Sequence, residues 1–215
     1  MNLTKSAHIS VIIGENDVRR QTPGAHPEKC RNVAAKGQKM VKPNAKKEIV
    51  KPQTLRAQRF MERALYWARR AAAEGETPVG AVVVCNGRII GHGYNRREHL
   101  QSVTEHAELM AIRQAERKLG SWRLPDCELY VTLEPCFMCA SAIQQARIAR
   151  VFFAARDPKG GALVSLTEFY RSFPQNHRPI VEGGLMAEEA SQILRAFFQV
   201  RRAENRARKR GHSAS

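Results

Sequence analysis

A layered α/β domain over residues 54–208 is the fold class that the sequence predicts, with a basic extension at 1–53 and a basic, disordered tail at 209–215. Three observations predict it. Apolar residues recur at three- and four-residue steps in several stretches, the stripe of core-facing helices. Short apolar runs of strand length lie between those stretches. Two of the runs are separated by Asn86-Gly87 alone, a dipeptide that accepts the positive φ angles of a two-residue hairpin, so at least one strand pair is antiparallel. The 215 residues suit one domain with extensions, since a single core of this kind takes about 100–200 residues.

Residues 1–53 are rich in Lys, Pro, Gly, Asn and Gln without a sustained period, and are expected to be disordered. From Thr54 the character changes: Phe60, Met61, Ala64, Leu65, Ala68 and Ala71 mark a helix that ends before Gly75. Strands are expected at 79–85 and 88–94, then a polar loop to about Val103. A helix follows to Leu119, with Ala107, Met110, Ala111 and Ala115 on one side and a cap at Ser102, boxed with Glu105, or at Thr104. Residues 127–132 read as a strand, and Pro135 suits the first turn of a helix reaching about Ala146. A strand at 151–155, a loop at 157–161, a short helix at 166–171 and a last strand at 180–182 come next. The terminal helix begins near Met186; Ala190, Ile193, Leu194 and Phe197 continue its apolar face before Arg201, Arg202, Arg206, Arg208, Lys209 and Arg210 take over the surface.

The formal charge of +16 is concentrated at the ends, with +8 over residues 1–57, +6 over 195–215 and only +2 in between. Such ends suit a polyanionic partner, nucleic acid before membrane because no apolar anchor accompanies the charge; basic tails that only favour solubility are the alternative. No run approaches the roughly 20 apolar residues of a membrane span, and Met1-Asn2-Leu3-Thr4-Lys5 lacks the apolar region of a secretory signal. A soluble cytoplasmic protein is expected. Five cysteines, Cys30, Cys85, Cys127, Cys136 and Cys139, are an odd number at irregular spacing, which suits a reducing compartment rather than a disulfide framework.

Chemistry concentrates in His106-Ala107-Glu108 and Pro135-Cys136-Phe137-Met138-Cys139, each at an expected helix start. Cysteines at i and i+3 share one side of a helical turn, and the positive end of the helix dipole favours thiolates. Two sulfurs and an imidazole nitrogen suit zinc. Three protein ligands leave one tetrahedral position open, where water is acidified to a pKa of about 7. Glu108, two residues from His106, is poorly placed to share the ligand role and better suited to carry protons. Two other readings use the same residues: a closed structural site with Cys127, Cys85 or His92 as fourth ligand, and a redox pair in which His106 has no part.

The H-x-E and P-C-x-x-C strings are the signature of zinc-dependent nucleobase deaminases. The chain resembles the bacterial tRNA-specific adenosine deaminases over roughly residues 58 to 208, in Glu76-Thr77-Pro78-Val79-Gly80-Ala81, Gly93-Tyr94-Asn95-Arg96, the run from Leu129 to Cys136, Ala155-Arg156-Asp157, Asn176-His177-Arg178 and Phe197-Phe198. Free cytidine and guanine deaminases share mainly the zinc strings. The resemblance implies a cytidine deaminase-like, three-layer α/β/α sandwich around a five-stranded mixed sheet, working as a homodimer with one zinc per subunit. It implies hydrolysis of adenosine to inosine at the wobble position of a tRNA anticodon, chiefly an arginine tRNA, with release of ammonia. His106, Cys136 and Cys139 would hold the zinc, Glu108 would move protons, and Asn95 would hydrogen-bond the flipped base. Asp157, Lys159, Phe198 and Arg202 would contact RNA. On residue type alone Asn95 also reads as a turn residue, Phe198 as core and Arg202 as a solvated charge. Leu163-Val164 departs from the small residue and glycine that the family often has before Ser165.

Overall fold

The computed structural model describes residues 52–212 except Phe173, so the expectation for the leading extension lies, but for its last two residues, outside the described residues, as does Cys30. Its elements are α1 (Pro52–Ala73), β1 (Gly80–Cys85), β2 (Arg88–Tyr94), α2 (Arg97–Leu100), α3 (Ala107–Leu119), β3 (Cys127–Leu133), α4 (Phe137–Gln145), β4 (Arg150–Ala155), α5 (Phe169–Ser172), β5 (Ile180–Gly183) and α6 (Ala187–His212). The strands form one sheet in the order β2-β1-β3-β4-β5. β1 runs antiparallel to both β2 and β3, whereas β3, β4 and β5 are parallel, so the sheet is mixed.

The two-residue side-chain period of a strand sorts the core into two clusters, one on each face. Ala81, Val83, Leu129, Val131, Val151 and Phe153 pack with Ala107, Ala111 and Ile143 of α3 and α4. Val82, Val84, Tyr130 and Phe152 face Met61, Ala64 and Leu65 of α1, with Ala190 of α6 on the same side. The result is the expected three-layer α/β/α sandwich. Tyr130 stacks on Phe152 with ring centroids 4.6 Å apart, filling the α1 side.

The hairpin turns on Asn86 (φ 48°) and Gly87 (φ 73°), both left-handed as a two-residue turn of this kind requires. Gly80 and Gly91 serve close approach: a Cβ at Gly80 would overlap the main chain of α1 at Ala64 and Ala68, and one at Gly91 the main chain of α3 at Ala111 and Ala115. Two helix backbones thus seat directly on the hairpin, one from each face.

Several boundaries differ from expectation for local reasons. The polar loop after β2 contains a helical turn, α2, whose end is closed by Gln101 in a left-handed conformation. The helix after it is not capped by Ser102, Thr104 or a Ser102–Glu105 box. Ser102 and Thr104 share a hydroxyl hydrogen bond of 3.1 Å, Glu105 pairs with Arg113 at 2.6 Å, and the Arg96 N–H donates to the Glu105 carbonyl at 3.0 Å. With those residues occupied, His106 takes the cap position in extended backbone. Pro135 likewise stands before the helix rather than in its first turn, and Cys136 is the cap. The short helix expected at 166–171 starts later and ends one residue further on, at Phe169–Ser172, and the terminal helix runs on through His212, so residues 209–212 of the tail expected to be disordered are helical. No helix among the described residues is long and apolar enough to cross a membrane.

Candidate active site

The ligand-type residues meet because two helices begin at the same place. His106 precedes α3 (φ −79°, ψ 150°), Cys136 precedes α4 (φ −74°, ψ 173°), and Cys139 lies in the first turn of α4. Extended backbone at a cap turns the side chain back across the helix N-terminus. His106 Nδ1 is 3.7 Å from Cys136 Sγ and 3.5 Å from Cys139 Sγ. The three donor atoms lie within 4.8 Å of one another, and they are the only such group among the described residues. One imidazole nitrogen and two sulfurs, gathered over two helix N-termini, fit zinc. The Cys136 thiol is lowered to about 4, first by the hydrogen bond from Cys139 and then by His106. Cys139, the donor in that bond and itself buried, is pushed up. One ready thiolate beside a neutral partner is a seat for a cation.

The candidates for a closing fourth ligand are elsewhere. Cys85 and Cys127 are register partners across β1 and β3, and His92 stacks on Trp67 at 4.2 Å. Among the described residues the metal set therefore has three protein members, the number that leaves a position for water.

Glu108, in the first turn of α3, is buried at 4% exposure. Burial pushes its carboxyl above the usual carboxylate range. A cavity of about 170 Å³ brings Glu108 together with Asn95, His106, Cys136 and Asp157. A larger cavity, of about 570 Å³, lies at the starts of β3 and β4, lined by Arg56, Glu128 and Arg150 among others. The smaller one carries the chemistry because the metal-type donors and the buried acid converge there.

Asn95 is fixed twice. Its N–H donates to the Val79 carbonyl at 3.0 Å, and its Nδ2 donates to Glu76 Oε2 at 3.1 Å. The Asp157 N–H donates to Glu134 Oε2 at 3.2 Å, and Asp157 Oδ1 accepts the Lys159 N–H at 3.0 Å, an Asx turn. The structure does not bring Lys159, Phe198 or Arg202 into the cavity lining. Phe198 stands on α6 with 42% exposure, edge-on to Phe197, and Arg202 is exposed a turn further on.

Two buried carboxylates at the site, Glu76 and Glu134, escape a reading of the sequence. Glu134 Oε1 accepts the N–H groups of Leu163 (3.1 Å), Val164 (2.7 Å) and Ser165 (2.9 Å), while Oε2 accepts the Ser165 hydroxyl besides Asp157. Burial alone would raise this carboxyl, but the bonds from Ser165, Val164 and Asp157 hold it below the usual range. The clamp also shows how Leu163-Val164 is accommodated: it grips main chain, Leu163 packs into the core and Val164 points outward at 38% exposure. The one signal for both residues is that they lie in stretches carrying the family resemblance, Glu76 before Thr77-Pro78 and Glu134 before Pro135-Cys136.

Comparison with known proteins agrees with this geometry. Residues 55–155 match the cytidine and deoxycytidylate deaminase zinc-binding region. The chain is 49% identical over 146 residues to a tRNA-specific adenosine deaminase of Agrobacterium fabrum, covering 68% of this chain and 96% of that protein. It is 43% identical over 151 residues to the Bacillus subtilis protein of the same name, covering 70% and 94%. A solved structure from studies of A-to-I editing by tRNA:A34 deaminases superposes with a TM-score of 0.62 at 49% identity, over 63% of this chain and 99% of that one. With the zinc-type donors, the buried acid and nearly the full length of these relatives accounted for, the chain belongs to the tRNA-specific adenosine deaminase family.

Proposed function

We propose that this protein hydrolyses adenosine to inosine at the wobble position of a tRNA anticodon, chiefly an arginine tRNA, and releases ammonia. The observation that carries the reading is one cavity lined by His106 and Cys136 of the metal set, the buried Glu108 and the anchored Asn95, with Cys139 Sγ 3.5 Å from His106 Nδ1. His106, Cys136 and Cys139 hold zinc. When bound, zinc supplies the Lewis acidity that makes water nucleophilic at neutral pH. Glu108 takes one proton from water and delivers it to N1 of the adenine as C6 is attacked, then takes the second from the hydroxyl added at C6 and gives it to the amine, which departs as ammonia while the C6 carbonyl forms. Its burial supports this role, because a carboxyl raised above its ordinary range both accepts and returns protons. Asn95 hydrogen-bonds the base extruded from the loop.

Around the cavity, Asp157 and Lys159 meet the RNA close to the extruded base, and Phe198 and Arg202 of α6 meet it farther out. The run of basic residues along α6 supports phosphate contacts. The enzyme acts as a homodimer in the cytoplasm, where the unoxidised Cys136 and Cys139 of the metal set are compatible with a reducing medium. The test is deamination of defined substrates. Zinc-loaded protein is expected to convert an anticodon stem-loop carrying a wobble adenosine to the inosine product at low salt and to leave free adenosine unchanged. Preference for the free nucleoside, or for a free base, would refute the tRNA assignment.

A further inference from the structure

Glu76 is a buried carboxylate, 1% exposed, in the turn between α1 and β1. No ion pair neutralises it among the described residues. A charge so placed costs free energy unless each oxygen is hydrogen-bonded, and here each has a different donor. Oε1 accepts the backbone N–H of His99 in α2 at 2.7 Å, and Oε2 accepts Asn95 Nδ2 at 3.1 Å. The two bonds differ in kind. The His99 N–H belongs to the main chain and has no alternative orientation; the Asn95 amide is free to present either end. A carboxylate only accepts, so it captures the NH2 end of Asn95 and turns the carbonyl oxygen away.

We infer that Glu76 is a positioning residue for base recognition: it fixes which way round the Asn95 amide meets the nucleobase. This rests on the reading of Asn95 as a base contact. The backbone of Asn95 is already held by Val79, so rotation of the amide is the freedom that remains, and Glu76 removes it. A fixed amide offers its second N–H and its Oδ1 in one order, which a purine edge either matches or does not.

The isosteric change Glu76→Gln tests this, because the main-chain N–H of His99 claims the one oxygen of the new amide. Its NH2 then faces Asn95 and draws the Asn95 oxygen, inverting the ring of contacts without emptying the space. For a stem-loop with a wobble adenosine, Glu76→Gln is expected to lower kcat/KM by about tenfold or more, mainly through KM, with zinc content unchanged. Asn95→Ala should lose as much, and the double variant Glu76→Gln with Asn95→Ala no more than Asn95→Ala alone, since the two residues act as one unit.

The exchange Glu76→Gln with Asn95→Asp gives the buried pair a matched donor and acceptor but leaves position 95 with no N–H. It should recover thermal stability while KM stays raised, and it carries the test if Glu76→Gln alone is too unstable to assay. Wild-type KM in the exchange variant, wild-type kinetics in Glu76→Gln, or full additivity with Asn95→Ala would each overturn the positioning role. Wild-type kinetics in Asn95→Ala would instead overturn the base-contact reading itself, and this inference with it.

Discussion

Glu108 and Cys139 are both buried beside the same imidazole, yet they are suited to different work. Cys139 has its sulfur 3.5 Å from His106 Nδ1, within the donor group, whereas Glu108, two residues after His106, lines the cavity from the α3 side. Replacing Glu108 by Ala is therefore expected to leave zinc stoichiometric while lowering kcat by about 10²–10⁴-fold, the range spanned by loss of a general acid–base. Elemental analysis and inosine release on the same preparation check the two halves of that statement. Undiminished turnover would remove Glu108 from the proton path. The sequence makes this pair legible because two donors three residues apart, and an acid two residues from an imidazole, are local patterns. Glu76 and Glu134 are not legible in that way. Their partners lie 19 to 31 residues along the chain, and nothing nearby distinguishes a buried acid from a solvated one.

Elements show the same division between local and distant causes. The hairpin around Asn86-Gly87 follows from two residues that tolerate positive φ, and the five strands follow from apolar runs. The start of α3 does not follow from a cap-like residue. Ser102 and Thr104 have the right chemistry, but α2 and the Arg96–Glu105 bond occupy that stretch and leave His106 at the helix end. That displacement is productive, since it places a ligand-type side chain over a helix N-terminus. The 157–165 loop depends on the distant Glu134. Glu134→Ala would leave several inward-facing N–H groups without an acceptor and is expected to destabilise the fold by about 3 kcal/mol. Hydrogen exchange should accelerate first at the amides of residues 163–165, ahead of the strands. Unchanged protection there would mean that the loop is held by other contacts.

For the whole molecule, His106 comes from the end of the sheet where β1 is antiparallel, and the two cysteines come from the parallel crossover between β3 and β4. A metal that binds all three ties these parts together only in the folded state. Removal of zinc by a chelator should lower the melting temperature, because metal at about a thousandfold excess over its Kd stabilises the folded state by about 4 kcal/mol. Differential scanning calorimetry of loaded and stripped protein measures it, and equal midpoints would show that the metal contributes nothing to the assembled fold. The connection at residues 120–126, between α3 and β3, marks the division: Asn95, His106 and Glu108 precede it, while Glu134, Cys136, Cys139 and Asp157 follow it. Cutting the polypeptide there would give two fragments, each with an incomplete set of reactive groups. Neither piece has a working centre of its own, and catalysis would return only on their reunion, which makes this architecture a ready-made reporter for complementation.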